Sequence, residues 1–406
     1  MYTKYSMASR LKNIYLISIF LVLISLPLSM RFNNFVLGFS VLLFIIRYFK
    51  DKNFFQPKRV LNINTMLVVS LCLIEVLGLL NTENLGKGIK EIESSLSFLF
   101  IPLLFLSNDF NDKKNIEYCY FSIIIGSTLL VLISWVCIGM SFIAKYDFSI
   151  TYLFSNEYTY IGLAKYVGAH PSYLSLIIIF SIGLLFPVND RNYKRRNVRI
   201  GLVCIHIIFL FQLLSRAAIL YFIFVALLFL FKKRLWKHLA LISLVFTFIT
   251  YHGYRNEYTK NRIDSFVSIF KEDTKSWRFE RMKLMFEIFE ENPIIGVGTG
   301  DISNFRKDKY LDNKHFFAAD KNYNAHNQLL EYLTTFGVIG GVLYFSIFFN
   351  FFYRCYKLKL WVYMFVLGAI FIISFTESIF ERYMGVEFFA IITSLIVIKT
   401  LENNND

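Results

Sequence analysis

Apolar runs long enough to cross a bilayer recur from Ile14 almost to the C-terminus of this 406-residue chain, and they point to an integral membrane fold. In hydrocarbon no water satisfies backbone N–H and C=O groups, so each crossing must be a helix of about 20 apolar residues. Composition agrees, with 56% hydrophobic and 18% charged residues where soluble domains carry about a quarter charged. Spans are expected at 14–30, 33–49, 62–80, 94–107, 118–142, 172–188, 200–214, 217–231, 238–251, 329–353, 360–377 and 385–400. The fourth and the seventh to ninth are short, and re-entrant segments are the alternative for them. The expected fold class is all-α integral membrane: about 12 transmembrane helices and one large loop containing an amphipathic helix. Residues 1–251 would hold nine spans, 252–328 the loop, and 329–406 the last three spans and a short tail.

The first apolar run follows Lys4, Arg10 and Lys12, as in a signal peptide, but no small-x-small cleavage site follows, so a retained helix is expected. Lys and Arg crowd alternate loops: 50–61, 189–199, 232–237 and 354–359. Segments 81–93 and 143–171 are close to neutral. The positive-inside rule then puts both termini in the cytoplasm and the long loop outside. Loop 108–117 mixes acids with Lys113 and Lys114 and decides nothing. The net charge of +14 lies in these short loops, which argues against a nucleic-acid partner. The five cysteines lie in or beside apolar runs without metal-ligand spacing. No repeat or inverted half of the transporter kind is visible.

The loop contains Trp277-Arg-Phe-Glu-Arg-Met-Lys-Leu-Met-Phe-Glu-Ile-Phe-Glu-Glu-Asn-Pro293, a helix pattern capped by Thr274 or Ser276 and ended by Pro293. At 100° per residue, Met282, Met285 and Phe289 fall within about 40° of Arg278, which heads the apolar stripe and needs an anionic partner. Snorkelling to lipid phosphates is the plainer account of that arginine. The glycines of Asn292-Pro-Ile-Ile-Gly-Val-Gly-Thr-Gly-Asp301 resemble a nucleotide loop only superficially, since no strand precedes them. A turn leading away from the membrane surface is expected there instead. His326 stands where the chain re-enters the membrane, at a helix N-terminus that disfavours imidazolium and favours a bound phosphate. A structural histidine is the alternative. Gly337, Gly340 and Gly341 would allow close helix packing.

Arg216, in Leu213-Leu-Ser-Arg-Ala-Ala218, sits between two apolar runs with almost no loop, which makes it a functional candidate or a snorkelling arginine at a tight turn. His170-Pro171 opens the sixth span on the same side, and His170, Arg281 and Asn327 are candidates for lining a cavity there. Glu377, Glu381 and Arg382 are available to pair with these groups or with each other. His206, in mid-span, reads as a hydrogen-bonded packing residue.

Three of these elements, in order, resemble the O-antigen ligase and polymerase superfamily of bacterial membrane glycosyltransferases over roughly 200–350. They are Ser215-Arg216 at the start of a span, Arg278 with its helix and Asn-Pro-x-x-Gly-x-Gly, and His326-Asn327-x-x-Leu330 followed by Gly337 and Gly340. Met282 stands where the family often has an aromatic residue, and His170-Pro171 where Asn-Pro is common. The resemblance implies an inner-membrane enzyme using neither cofactor nor metal. It would transfer a glycan from an undecaprenyl-pyrophosphate carrier to an acceptor hydroxyl on the periplasmic face. His326 would be the base, and Arg216 and Arg278 would bind the pyrophosphate. The acceptor would be the core sugar of lipid A in a ligase, or a growing glycan in a polymerase. The segment 145–170 is short and lacks Arg, which favours the ligase. A lipid-linked glycan transporter or flippase is the alternative of another class.

Overall fold

The computed structural model describes residues 2–51, 53–55, 57–144, 155–186, 193–234 and 277–403, with isolated positions between 247 and 264. Among the described residues there are helices and turns and no strand. The N-terminal half runs α1 (Tyr2–Ser25), α2 (Met30–Lys50), α3 (Pro57–Val60), α4 (Ile63–Gly78), α5 (Leu85–Ser95), α6 (Ser97–Phe105) and α7 (Lys113–Ala144). Then come α8 (Tyr160–Lys165), α9 (Pro171–Leu185), α10 (Tyr193–Gln212) and α11 (Arg216–Lys233). The remainder is α12 (Trp277–Glu291), α13 (Ile302–Asp312), α14 (Phe316–Asp320), α15 (Gln328–Lys357), α16 (Trp361–Ser374) and α17 (Tyr383–Asn403).

Among the described residues, five helical segments are long and apolar enough to cross a membrane: α2, α4 with its following turn, α7, α15 and α17. The shorter helices α9 and α16 are also apolar, so the protein is a multi-pass membrane protein. The expected fourth span, 94–107, falls on two helices. A turn at Leu96, itself of helical φ and ψ, divides α5 from α6, and Phe98, Ile101, Leu104 and Phe105 of α6 are buried against α17 and α4. The nine residues of α6 alone cover about 14 Å. The expected ninth span, 238–251, lies almost wholly outside the described residues.

Two compact units divide the chain, one formed by 1–126 with 277–406 and the other by 127–276. In the first, α17 is buried along most of its length, with α6, α4, α15 and α16 packed on it. Several polar groups buried in this unit are paired between elements. Arg47 of α2 binds Asp109 beneath the rings of Tyr15 and Phe54, with Lys12 3.4 Å from the same carboxylate. Asn33 donates to Glu387 of α17 at 2.7 Å. In the second unit, α9 is buried nearly end to end, with α8, α10 and α11 against it. His206 is fully buried there. Its Nδ1 meets the Leu202 carbonyl at 2.7 Å and its Nε2 meets Ser127 Oγ at 3.0 Å, which is the packing role its position suggests.

What positions the polar end of the first unit is a break in α15. Gly337 has φ 64° and ψ −156°, a conformation open almost only to glycine. The segment 293–301 is stitched into that break: Val338 N donates to Pro293 O, Val297 N to Thr334 O and Gly298 N to Thr335 O. Gly337, Gly340 and Gly341 therefore serve the break rather than contact with a separate helix. A Cβ on Gly340 would strike the Tyr332 carbonyl of the same helix, and one on Gly341 the Leu333 side chain. Nor does 293–301 lead away from the bundle. Asn81 donates to Gly296 O at 2.9 Å, and Asp301 accepts from Glu83 N and Asn84 N.

Candidate active site at the start of α15

From Gly296 to Gly300 the glycine-rich segment has its backbone donors already occupied. Gly296, Val297, Gly298, Thr299 and Gly300 give their N–H groups to Asn292 O, Thr334 O, Thr335 O, Gly78 O and Thr82 Oγ1. No nest of free amides remains to hold a phosphate, so the segment is a structural wedge. It joins α12 to α13 and brings both against the first turns of α15.

α12 forms where expected and ends ahead of Pro293, whose ring cannot continue a helix. Its buried face is centred on Leu284, Met285 and Ile288, rather than on the stripe through Arg278 and Phe289. The cause is that the helix is covered on two sides. Met285 and Ile288 pack with Val297, Ile302, Ala325 and Leu330, while Leu284 packs with Tyr310, Ala318 and Ala319. Arg278 stands near the free N-terminal end of the helix, with 43% of its side chain exposed. Arg281, one turn on, lies over the ring of Tyr323 at 4.9 Å, a cation–π contact. Burial lowers the Arg281 pKa from its ordinary value; Tyr310 opposes the shift and Arg278 adds to it. Two guanidiniums sharing one neighbourhood gain from an anion placed between them.

His326 ends the loop. Its φ of 49° puts it in the left-handed region, and its N–H donates to Asn324 Oδ1 at 3.2 Å. Asn327 then caps α15 by accepting from Leu330 N at 3.1 Å. A residue of left-handed conformation followed by an extended cap turns the imidazole away from the helix axis. There its Nδ1 lies 3.1 Å from Glu377 Oε2. The other oxygen of the same carboxylate is 3.6 Å from Arg278 Nη2. One carboxylate, largely buried, thus links the two residues in this unit that sequence analysis placed in a reaction. An ionised carboxylate only accepts, so a hydrogen bond to it from Nδ1 would leave Nε2 as the acceptor nitrogen. Tyr323 closes the site, with its ring centroid 6.3 Å from that of His326.

Of the other candidates, Arg216 is the first residue of α11, and its N-cap, Ser215, reaches Ser172 Oγ at 3.4 Å in the second unit. His170 caps α9 in that unit: its Nδ1 accepts from Ser172 N at 3.4 Å, and its ring meets Tyr160 and Tyr173. Glu377 and Glu381 divide their work, the first with His326 and Arg278, the second with Arg306 and Asn324.

Arg306 belongs to no motif. What marks it is spacing: Ile302, Arg306 and Tyr310 recur every four residues and are the buried face of α13. A guanidinium on an apolar face must be paired, and Arg306 binds Glu331 at 3.0 Å and Glu381 at 3.5 Å. Burial works against its charge, but the two carboxylates outweigh that and raise its pKa. Among the described residues, no group of three or more His, Cys, Asp or Glu is placed to hold a metal ion.

No curated protein matches the chain. Residues 200–345 match the family model described as O-Antigen ligase, a stretch holding Arg216, Arg278 and His326. The match falls on the stretch over which the motifs resemble that superfamily, and it covers a little over a third of the chain.

Proposed function

We propose that this protein is a metal-independent O-antigen ligase-type glycosyltransferase, which moves a glycan from an undecaprenyl-pyrophosphate carrier to a hydroxyl of the lipid A core. The reaction takes place on the periplasmic face of a bacterial inner membrane. The observation that carries the reading is the Glu377 carboxylate shared between His326 Nδ1 and Arg278. In the transfer, the acceptor oxygen bonds to the anomeric carbon as the bond from that carbon to the pyrophosphate oxygen breaks. The hydroxyl proton passes to His326 Nε2, and Glu377 stabilises the imidazolium that forms. The leaving electron pair goes to the pyrophosphate, whose charge Arg278 offsets, with Arg281 nearby. The role of Arg216 toward the same leaving group rests on the resemblance.

Glu377 pairs with Arg278, and a pyrophosphate is the stronger partner for that arginine, with more charge and more acceptor oxygens. The lack of Arg in the segment 145–170 favours the ligase over a polymerase of the same chemistry. The test is incubation of the purified protein with undecaprenyl-pyrophosphate-linked glycan and either lipid A core or free glycan as acceptor. Product on the lipid A core, lost in His326→Ala, is the expected result. Chain elongation in its place identifies a polymerase. Lipid translocation without any product overturns the transferase reading.

A further inference from the structure

The contact between His326 and Glu377 joins two chain segments that are far apart in sequence, and neither segment is a regular element. His326 lies in the turn before α15, at a left-handed φ. Glu377 lies in the turn after α16, beyond Ser374. Something must set the register of these turns, because a displacement of about 1 Å between reacting groups is enough to cost a large factor in rate.

The structure assigns that task to Arg306, which we propose is a positioning residue for His326, acting through Glu331 and Glu381. Its Nη1 lies 3.1 and 3.0 Å from the two oxygens of Glu331 and 3.5 Å from Glu381 Oε1. Each carboxylate also holds a turn. Glu331 Oε1 accepts the backbone N–H of Ala325 at 2.5 Å and the hydroxyl of Ser378 at 3.4 Å, gripping the residues beside His326 and Glu377 alike. Glu381 Oε2 accepts from Asn324 Nδ2 at 2.5 Å, and Asn324 Oδ1 in turn accepts the His326 N–H. Phe380 N donates to Gln328 Oε1 at 2.6 Å, closing the stitch between the turns.

The Arg306–Glu331 pair is nearly dry, with side chains 8% and 4% exposed, while Glu381 is 29% exposed. Two carboxylates so placed repel one another unless a cation stands between them; without it one takes up a proton or moves apart, and its hold on its N–H or amide donor loosens. Arg306 touches neither His326 nor Glu377 in any contact described above. Its effect on them runs through the two turns.

This inference rests on His326 being the base, so its test has an arm that does not need turnover. Arg306→Met is the main variant. Arg306→Lys, which keeps the charge but not the fork, serves if the first does not fold. Hydrogen exchange of the full-length protein in detergent should be at least tenfold faster in peptides covering 323–330 and 376–382, with α12 and α17 at wild-type rates. Transfer should lose about 100-fold in kcat with KM within about twofold, and Arg306→Lys should recover part of it. Wild-type exchange in both peptides overturns the proposal. So does faster exchange throughout the chain, which would make Arg306 a general prop. If the wild-type protein transfers nothing, the functional reading fails, and the exchange arm alone decides the role of Arg306.

Discussion

Gly337→Ala is the sharpest test of the site's architecture. At φ 64° and ψ −156° an alanine is strained by about 1–3 kcal/mol before any neighbour is considered. The neighbours make it worse, because a Cβ built there lies 2.2 Å from the Ile294 carbonyl oxygen and 2.3 Å from its carbon. Backbone does not yield as a flexible side chain would, so 293–298 must move away from α15. That movement gives up one or more of the three hydrogen bonds from Val338 N, Val297 N and Gly298 N, each worth about 0.5–1.5 kcal/mol net. The sum is a loss of about 1.5–7.5 kcal/mol. Thermal unfolding in detergent, followed by circular dichroism, measures it. Gly139→Ala in α7 is the control, since a Cβ there meets nothing within 4 Å. In a helix it should be neutral or stabilising by about 0.5–1 kcal/mol. Because the half of α15 before the break carries Asn327 and His326, Gly337→Ala should also lower transfer more than its stability loss alone would. Wild-type stability in Gly337→Ala would refute the wedge and, with it, the reason His326 stands where it does.

Other substitutions test single links. Glu377→Gln removes the charge that orients His326 and should lower kcat by about 10²- to 10⁴-fold, as in other carboxylate–histidine pairs; rates within twofold of wild type would remove Glu377 from the mechanism. Asn327→Ala should cost about 1 kcal/mol of stability by uncapping α15, and Asn327→Asp almost nothing, both read as shifts in melting temperature. Arg47→Met strands the buried Asp109 and should destabilise by about 3 kcal/mol, the low end for a broken buried pair, because Lys12 still reaches that carboxylate. Adding Asp109→Leu should restore most of that loss, whereas a further fall would show the pair to be stabilising in itself.

Hydrophobic run length and charge alternation are local, additive properties, so the chain's membrane character and the long segment before α15 can be read directly from residue order. The same holds for α12, whose start and Pro293 stop are set within one stretch of chain. His326, Arg278 and Arg216 stand out because costly residues at the ends of apolar runs need a reason to be there. Run length says nothing of the packing at 94–107, where the apolar residues of a nine-residue helix are buried against α17 and α4. The glycines of α15 are ambiguous in the sequence, since a backbone break and a close helix contact call for the same residue. Tertiary structure alone decided which carboxylate meets which base. Glu377, Glu381 and Glu331 are equally good acids in the sequence, and only packing sends the first to His326 and the other two to Arg306. Pairing across 24 or more intervening residues depends on how whole helices are placed, and residue order carries no local trace of that.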